Sequence, residues 1–264
     1  MVNEFLDNVP YWVVFVGYLL LFALSIEAGF RLGRWRGPSA DALAESRKAQ
    51  AGTVLGAMLA LVGFLVAFTF GMAGSQYDAR RKLVIDEANA IGTTYLRAAH
   101  MPEPHRSNLR RMLREYAADR RIVAEEVSNE MRARAEQFHE KIWTESTMIT
   151  RADRTPVVSV FIQSLNETID IYAKRVDVVL WKRIPDMLFV VLSFLSMVVM
   201  VMYGYWMGWS DRRHVFPTTL LVVAYATVFL LVVDLDRPSG GFFRVSHQPL
   251  IELSRSMDAR ADPS

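Results

Sequence analysis

The chain has 264 residues, is 52% hydrophobic, and carries 30 basic and 28 acidic residues for a formal net charge of +2. That near-balance lacks the basic excess by which a nucleic-acid binder is recognised, so no nucleic-acid partner is expected. There is no cysteine, which excludes disulfides, thiolate catalysis and cysteine-based metal centres.

Charge is segregated along the chain. Four blocks at 11–30, 51–73, 187–209 and 216–233 are nearly free of it, and a long charged stretch at about 75–183 separates the second from the third. The first block is not expected to be a secretory signal. Its leading residues include Glu4 and Asp7 but no lysine or arginine, its apolar run is too long, and no small-x-small site follows. It is expected to be a retained membrane helix, anchored by Pro10, Tyr11 and Trp12 at one interface and by Arg31, Arg34, Trp35 and Arg36 at the other. Glu27, in its last turns, is expected to snorkel or to pair with Arg31 one turn on. Gly37-Pro38-Ser39 breaks the chain, with Ser39 as N-cap of a short amphipathic lead-in over 40–50.

The second block, AGTVLGAMLALVGFLVAFTFGMA at 51–73, supplies the roughly 20 apolar residues that a bilayer-spanning helix needs. Two stripes run along it at helical spacing. Gly52, Gly56 and Ala60 continue into Gly63, Ala67 and Gly71, a ridge of small residues that lets another backbone come close. Phe64 and Phe68 project from one face, one turn apart. The expectation is a helix smooth on one side and bulky on the other, with Gly52, Gly56, Gly63 and Gly71 as helix-packing positions. Around an axis the phenylalanines would form a constriction; in a packed bundle they would be core.

Helical patterning then continues to Met101, and Pro102 and Pro104 mark a boundary. From His105 to about Thr150 the apolar positions Leu109, Met112, Leu113, Tyr116, Val123, Val127, Met131, Phe138 and Ile142 read as an amphipathic helix facing a partner helix, its arginines and glutamates forming a solvated face. Another amphipathic helix is expected over 156–183, with Pro185 in the first turn of the third membrane helix. That helix ends in an interfacial belt of Tyr203, Tyr205, Trp206 and Trp209, and a tight polar connection at 210–214 leads to the fourth. The fourth ends at Asp234-Leu235-Asp236-Arg237-Pro238-Ser239-Gly240-Gly241, and an amphipathic tail runs to about Met257. Nothing alternates as a strand. The expected fold is an all-α membrane protein with four transmembrane helices and a helical extramembrane domain between the second and third. Its parts are helices 1 and 2 at 1–74, the helical domain at 75–183, helices 3 and 4 at 184–236, and the tail at 237–264.

No P-loop, G-x-S-x-G, H-E-x-x-H or glycine-rich dinucleotide turn is present. His100, His105, His139, His214 and His247 are scattered without ligand-like spacing. Neither enzyme activity, a metal nor a cofactor is expected. Asp234 and Asp236, at the mouth of a membrane helix, suit either a hard cation or an arginine such as Arg237, Arg80 or Arg81, and the ion pair is favoured. Asp86 and Glu87 pose the same choice.

Phe68-Thr69, Tyr77 and Arg81-Lys82-Leu83 resemble the bestrophin superfamily, in which a Phe-Arg pair is followed at the same distance by a tyrosine and Arg-Lys-Leu. The stretches 85–93 (IDEANAIGT), 165–170 (LNETID), 234–238 (DLDRP) and 244–246 (RVS) are similar to a small bacterial bestrophin-like family of four-helix membrane proteins. The resemblance implies a homopentameric channel in a bacterial inner membrane, usually passing anions. Its partners would be the lipid bilayer, inorganic ions and copies of itself. It also implies a pore-lining second helix whose neck falls here on Ala60, Phe64 and Phe68. Ala60 is too small to constrict and Thr69 stands where bestrophins have arginine, so the implied neck is shorter or wider. The turn at 236–240 resembles one near the cation site of calcium-gated relatives, but the long acidic run of those relatives is missing and calcium gating is not expected.

On sidedness, the resemblance places the termini and the helical domain in the cytoplasm. The positive-inside rule, applied to Arg31, Arg34, Arg36, Arg47, Lys48, Arg212 and Arg213, places that domain outside. The competing functional reading is a non-conducting membrane scaffold or sensor whose helical domain binds a protein partner.

Overall fold

A computed structural model describes residues 9–36, 44–122, 129–152, 155–209, 213–237 and 241–260. The expected Ser39 cap, the start of the 40–50 lead-in, Val123, Val127, most of the 210–214 connection and the Pro238-Ser239-Gly240 turn lie outside these residues. The described residues form eight helices: α1 (Tyr11–Trp35), α2 (Ala44–Ala98), α3 (His105–Ile122), α4 (Asn129–Ala152), α5 (Pro156–Leu180), α6 (Asp186–Gly208), α7 (Val215–Asp236) and α8 (Gln248–Ala259). Four of them, α1, α2, α6 and α7, are long and apolar enough to cross a membrane. A span must satisfy its own backbone, because the bilayer interior offers no water to do so; contiguous helix is the form these runs can take.

The chain divides into two compact units, Met1–Ser75 with Ile184–Arg237, and Gln76–Arg183 with Pro238–Ser264. In the first, α1 packs along α6 and against α7 around Phe22, Ile26, Phe30, Leu192, Met200, Val222 and Phe229. Aromatic rings interlock there, Tyr18 with Phe229 at 4.6 Å and Phe22 with Phe229 at 5.6 Å between centroids. What brings α1 and α6 together is a reciprocal pair of glycine ridges, Gly29/Gly33 facing Gly204/Gly208. A Cβ at Gly29 would overlap the Val201 carbonyl oxygen, and one at Gly204 that of Ile26. Backbone meets backbone here, the close approach that small-xxx-small spacing allows. Glu27 pairs with Arg31 (2.9 Å) and also with Arg213 (3.3 Å) at the start of α7.

In the second unit, the later turns of α2 pack with α3, α4, α5 and α8 around Ile91, Leu109, Leu113, Tyr116, Ile142, Phe161, Leu165 and Leu250. Residues 105–150 are not one helix. Contacts of His105 with Glu145 (2.7 Å), Tyr116 with His139 (3.0 Å) and Asp119 with Arg134 (3.4 Å) show α3 and α4 folded back antiparallel. The segment contains no proline or glycine, so no local breaker announces the turn. The antiparallel arrangement lets the apolar stripes of α3 and α4 share one core with α2, α5 and α8, and such packing of amphipathic faces, more than propensity, stabilises helices in proteins. Thr94 joins α2 to α5 by hydrogen bonds of 2.9 Å to the Ser164 carbonyl and the Thr168 hydroxyl.

Candidate functional site

The membrane-spanning part of α2 has two unlike faces. Leu55 and Val62 are buried against Val199, with Leu195, Tyr203, Trp206 and Tyr225 around them. Thr69 is on this face too, 3% exposed, its hydroxyl donating to the Leu65 carbonyl at 2.8 Å. It therefore adds no polar group beside Phe68. The opposite face is open. Phe64 is 68% and Phe68 59% exposed, Ala60 is exposed, and a Cβ at Gly56, Gly63 or Gly71 would meet nothing within 4 Å. Gly52 differs: its Cβ would stand 3.2 Å from the Trp206 indole nitrogen, inside the unit. The two stripes are thus neighbours on one open face rather than opposite sides of the helix. At about 100° per residue, Gly71 lies seven residues beyond Phe64 and falls almost directly in line with it.

At the other polar feature, Asp234 and Asp236 lie within the last turn of α7 and are buried. Asp236 Oδ1 accepts the Ile184 N–H at 2.8 Å, just ahead of α6. Arg237 donates to the Val9 carbonyl at 2.8 Å, and its guanidinium sits 4.0 Å from the Tyr11 ring centroid. Tyr11 also interacts electrostatically with Asp234 and Arg237. These groups join the start of α1, the entry to α6 and the end of α7. No group of three or more histidine, aspartate or glutamate residues suited to a metal is found among the described residues.

The second unit holds a buried charge cluster, in which Arg120 is the exception to the exposed or half-exposed charged face described along α3 and α4. Glu87 is fully buried, and Arg120 and Arg175 nearly so. Arg120 Nε donates to Glu87 Oε1 at 2.8 Å and Arg175 Nη1 to Oε2. The second guanidinium nitrogen of Arg175 donates to His247 Nε2 at 2.9 Å, tethering the residue before α8. Burial alone would lower the Arg120 pKa, but Glu87 outweighs it and holds the guanidinium firmly charged. Burial, with the Arg120 charge adding to it, lowers the pKa of His139 to about 4. Burial, then the Glu87 charge, raises that of Tyr116. The sequence does carry a signal for this cluster. Arg120 continues the Leu109-Leu113-Tyr116 stripe and Arg175 the Leu165-Thr168-Tyr172 stripe, so both arginines sit in the phase of buried positions.

A bestrophin-like domain model matches residues 19–250. The fold is similar to the crystal structure of a bacterial bestrophin homolog from Klebsiella pneumoniae carrying a point mutation. The TM-score is 0.64 at 11% identity, over 92% of this chain and 97% of that one. No curated protein matches the sequence. Four membrane-length helices, a helical unit built from the chain between the second and third, and a family match over most of the length converge. The chain is a multi-pass membrane protein that belongs to the bestrophin-like family.

Proposed function

We propose that copies of this chain assemble around an axis, as a pentamer, to form an anion-conducting channel whose neck is built from Ala60, Phe64 and Phe68 on α2. The observation that carries this reading is the open face of α2. A lipid-facing surface gains from continuous apolar bulk, whereas this one interrupts two large rings with Gly56, Ala57, Ala60, Gly63, Ala67 and Gly71, all exposed. Such a face suits close approach by another backbone, and two rings projecting from it suit a hydrophobic constriction that gates by dewetting. The face carries no acidic residue over 51–73 that would favour cations. Asp234 and Asp236 act, in this reading, as a structural clasp and not as a cation sensor.

The test is the Phe64→Ala/Phe68→Ala double variant, assayed for assembly in detergent and for halide flux in liposomes. Both rings are largely exposed in the protomer, so truncation should stay near the roughly 0.5 kcal/mol typical of surface changes. A core site would cost about 3–5 kcal/mol for each ring. Flux should rise. A stable oligomer whose flux matches the parent refutes the neck. Absence of halide flux from both would favour the scaffold reading.

A further inference from the structure

We propose that the groove between α1 and α7 is a binding site for an anionic phospholipid, with an acyl chain lying along the helices and the phosphate held at Arg213 and Arg31. The groove has a volume of about 440 Å³, within the roughly 300–1,000 Å³ of ligand sites. Leu20, Ala23 and Ile26 form one wall, Val215, Thr219 and Val223 the other. Thr218 and Thr219 donate to the His214 and Val215 carbonyls of their own helix at 2.7 and 3.0 Å, so their hydroxyls do not make the walls polar.

One end of the groove is charged. Glu27, Arg213 and His214 line it. Arg213 reaches Glu27 at 3.3 Å and lies 4.4 Å from the Phe30 ring centroid, while Arg31 takes the other carboxylate oxygen at 2.9 Å. One carboxylate faces two guanidiniums, leaving a net positive charge. Both arginine side chains are more than half exposed, at 56% and 79%, and can meet a phosphate without giving up Glu27. Their position matters as well. Arg31 is in the last turns of α1, beside Arg34 and Trp35, and Arg213 lies two residues before the first residue of α7. That is the interfacial level at which headgroups lie and at which basic pockets between spans select anionic lipids. A soluble anion would leave the apolar walls unfilled. A zwitterionic lipid would bring its own cation to the two arginines. The site is independent of whether the chain conducts.

The experiment uses the full chain in detergent and follows thermal unfolding as phosphatidylglycerol or phosphatidylcholine of identical acyl chains is added. Phosphatidylglycerol should raise the midpoint more, and raising the salt concentration should shrink the difference. Arg213→Gln and Arg31→Gln should each weaken apparent phosphatidylglycerol affinity about fivefold and leave phosphatidylcholine unchanged, as about 1 kcal/mol per basic residue implies. Thr219→Trp, which fills the groove, should abolish the response to both lipids. Equal responses of the parent to the two lipids, or a preference indifferent to salt, overturn the proposal, and neither result depends on any variant folding. Undiminished preference in the arginine variants overturns it too. So does equal stabilisation by soluble glycerol phosphate, or cross-linking of two copies through a groove that lipid fails to protect.

Discussion

Replacing Gly29 with alanine should be among the most damaging single-methyl additions in the membrane unit. Its Cβ would overlap the Val201 carbonyl oxygen and stand 2.8 Å from the Val201 carbonyl carbon and 2.9 Å from the Tyr205 nitrogen. These are backbone atoms of α6, and none can swing aside as a side-chain tip would. Against an optimum of about 3.5–4.0 Å, relief requires α1 and α6 to part by roughly 1 Å, a gap that forfeits a quarter to a half of each contact across it. Phe22, Ile26 and Phe30 meet Leu192, Met200 and Met207 in that seam, so the expected loss is about 1–3 kcal/mol or more.

The same helix supplies the control, because a Cβ at Gly17 meets nothing within 4 Å. Gly17→Ala should be neutral or stabilising by up to about 1 kcal/mol through the unfolded chain. Thermal unfolding in detergent, followed by circular dichroism, should place Gly29→Ala well below the parent and Gly17→Ala at or above it. The Gly29→Ala/Gly204→Ala pair should be less than additive, since helices already parted accommodate the second methyl. Equal melting of Gly17→Ala and Gly29→Ala would refute the backbone-contact argument.

Asp236→Ala removes the acceptor of the buried Ile184 N–H and should cost about 1–3 kcal/mol; if the carboxylates are a clasp, calcium and chelator should leave the parent's unfolding midpoint unmoved, and a calcium-dependent rise would restore the cation reading. Gly56→Leu and Gly63→Leu should weaken assembly, measured by cross-linking in native membranes, because both face outward; unchanged oligomers would place the ridge against lipid. His139 has a folded-state pKa of about 4 against an ordinary value of 6.5, so unfolding takes up a proton between those values. Its contribution is fully present above pH 6.5 and is lost as pH falls towards 4, by up to roughly 3 kcal/mol. His139→Gln should flatten the stability profile over that window, and a profile as steep as the parent's would remove His139 as its cause.

The four spans were legible in the sequence because a bilayer enforces contiguity. Runs such as 51–73 and 216–233 have to be apolar from end to end, and no tertiary arrangement can substitute for that. The all-α class followed, since nothing alternates and an open strand cannot cross a membrane. The antiparallel pairing of α3 with α4 was not legible, because residues 105–150 contain no proline or glycine and the pairing is decided by which stripe finds a partner. The helix-packing glycines show the same division. Gly52, Gly56, Gly63 and Gly71 share a small-residue spacing, yet it is the G-x-x-x-G pairs Gly29/Gly33 and Gly204/Gly208 at which the backbones of α1 and α6 meet. Spacing tells which residues share a face but not which face meets another helix. Arg120 and Arg175 lie in the phase of buried stripes, yet an arginine on a helix is ordinarily solvated. Only Glu87, brought up from a distant helix with 0% exposure between the two guanidiniums, makes their burial affordable. Local sequence therefore determined what each segment is. The tertiary structure decided what each face touches, because a buried charge or a bare glycine is stable only against a partner that lies far away along the chain.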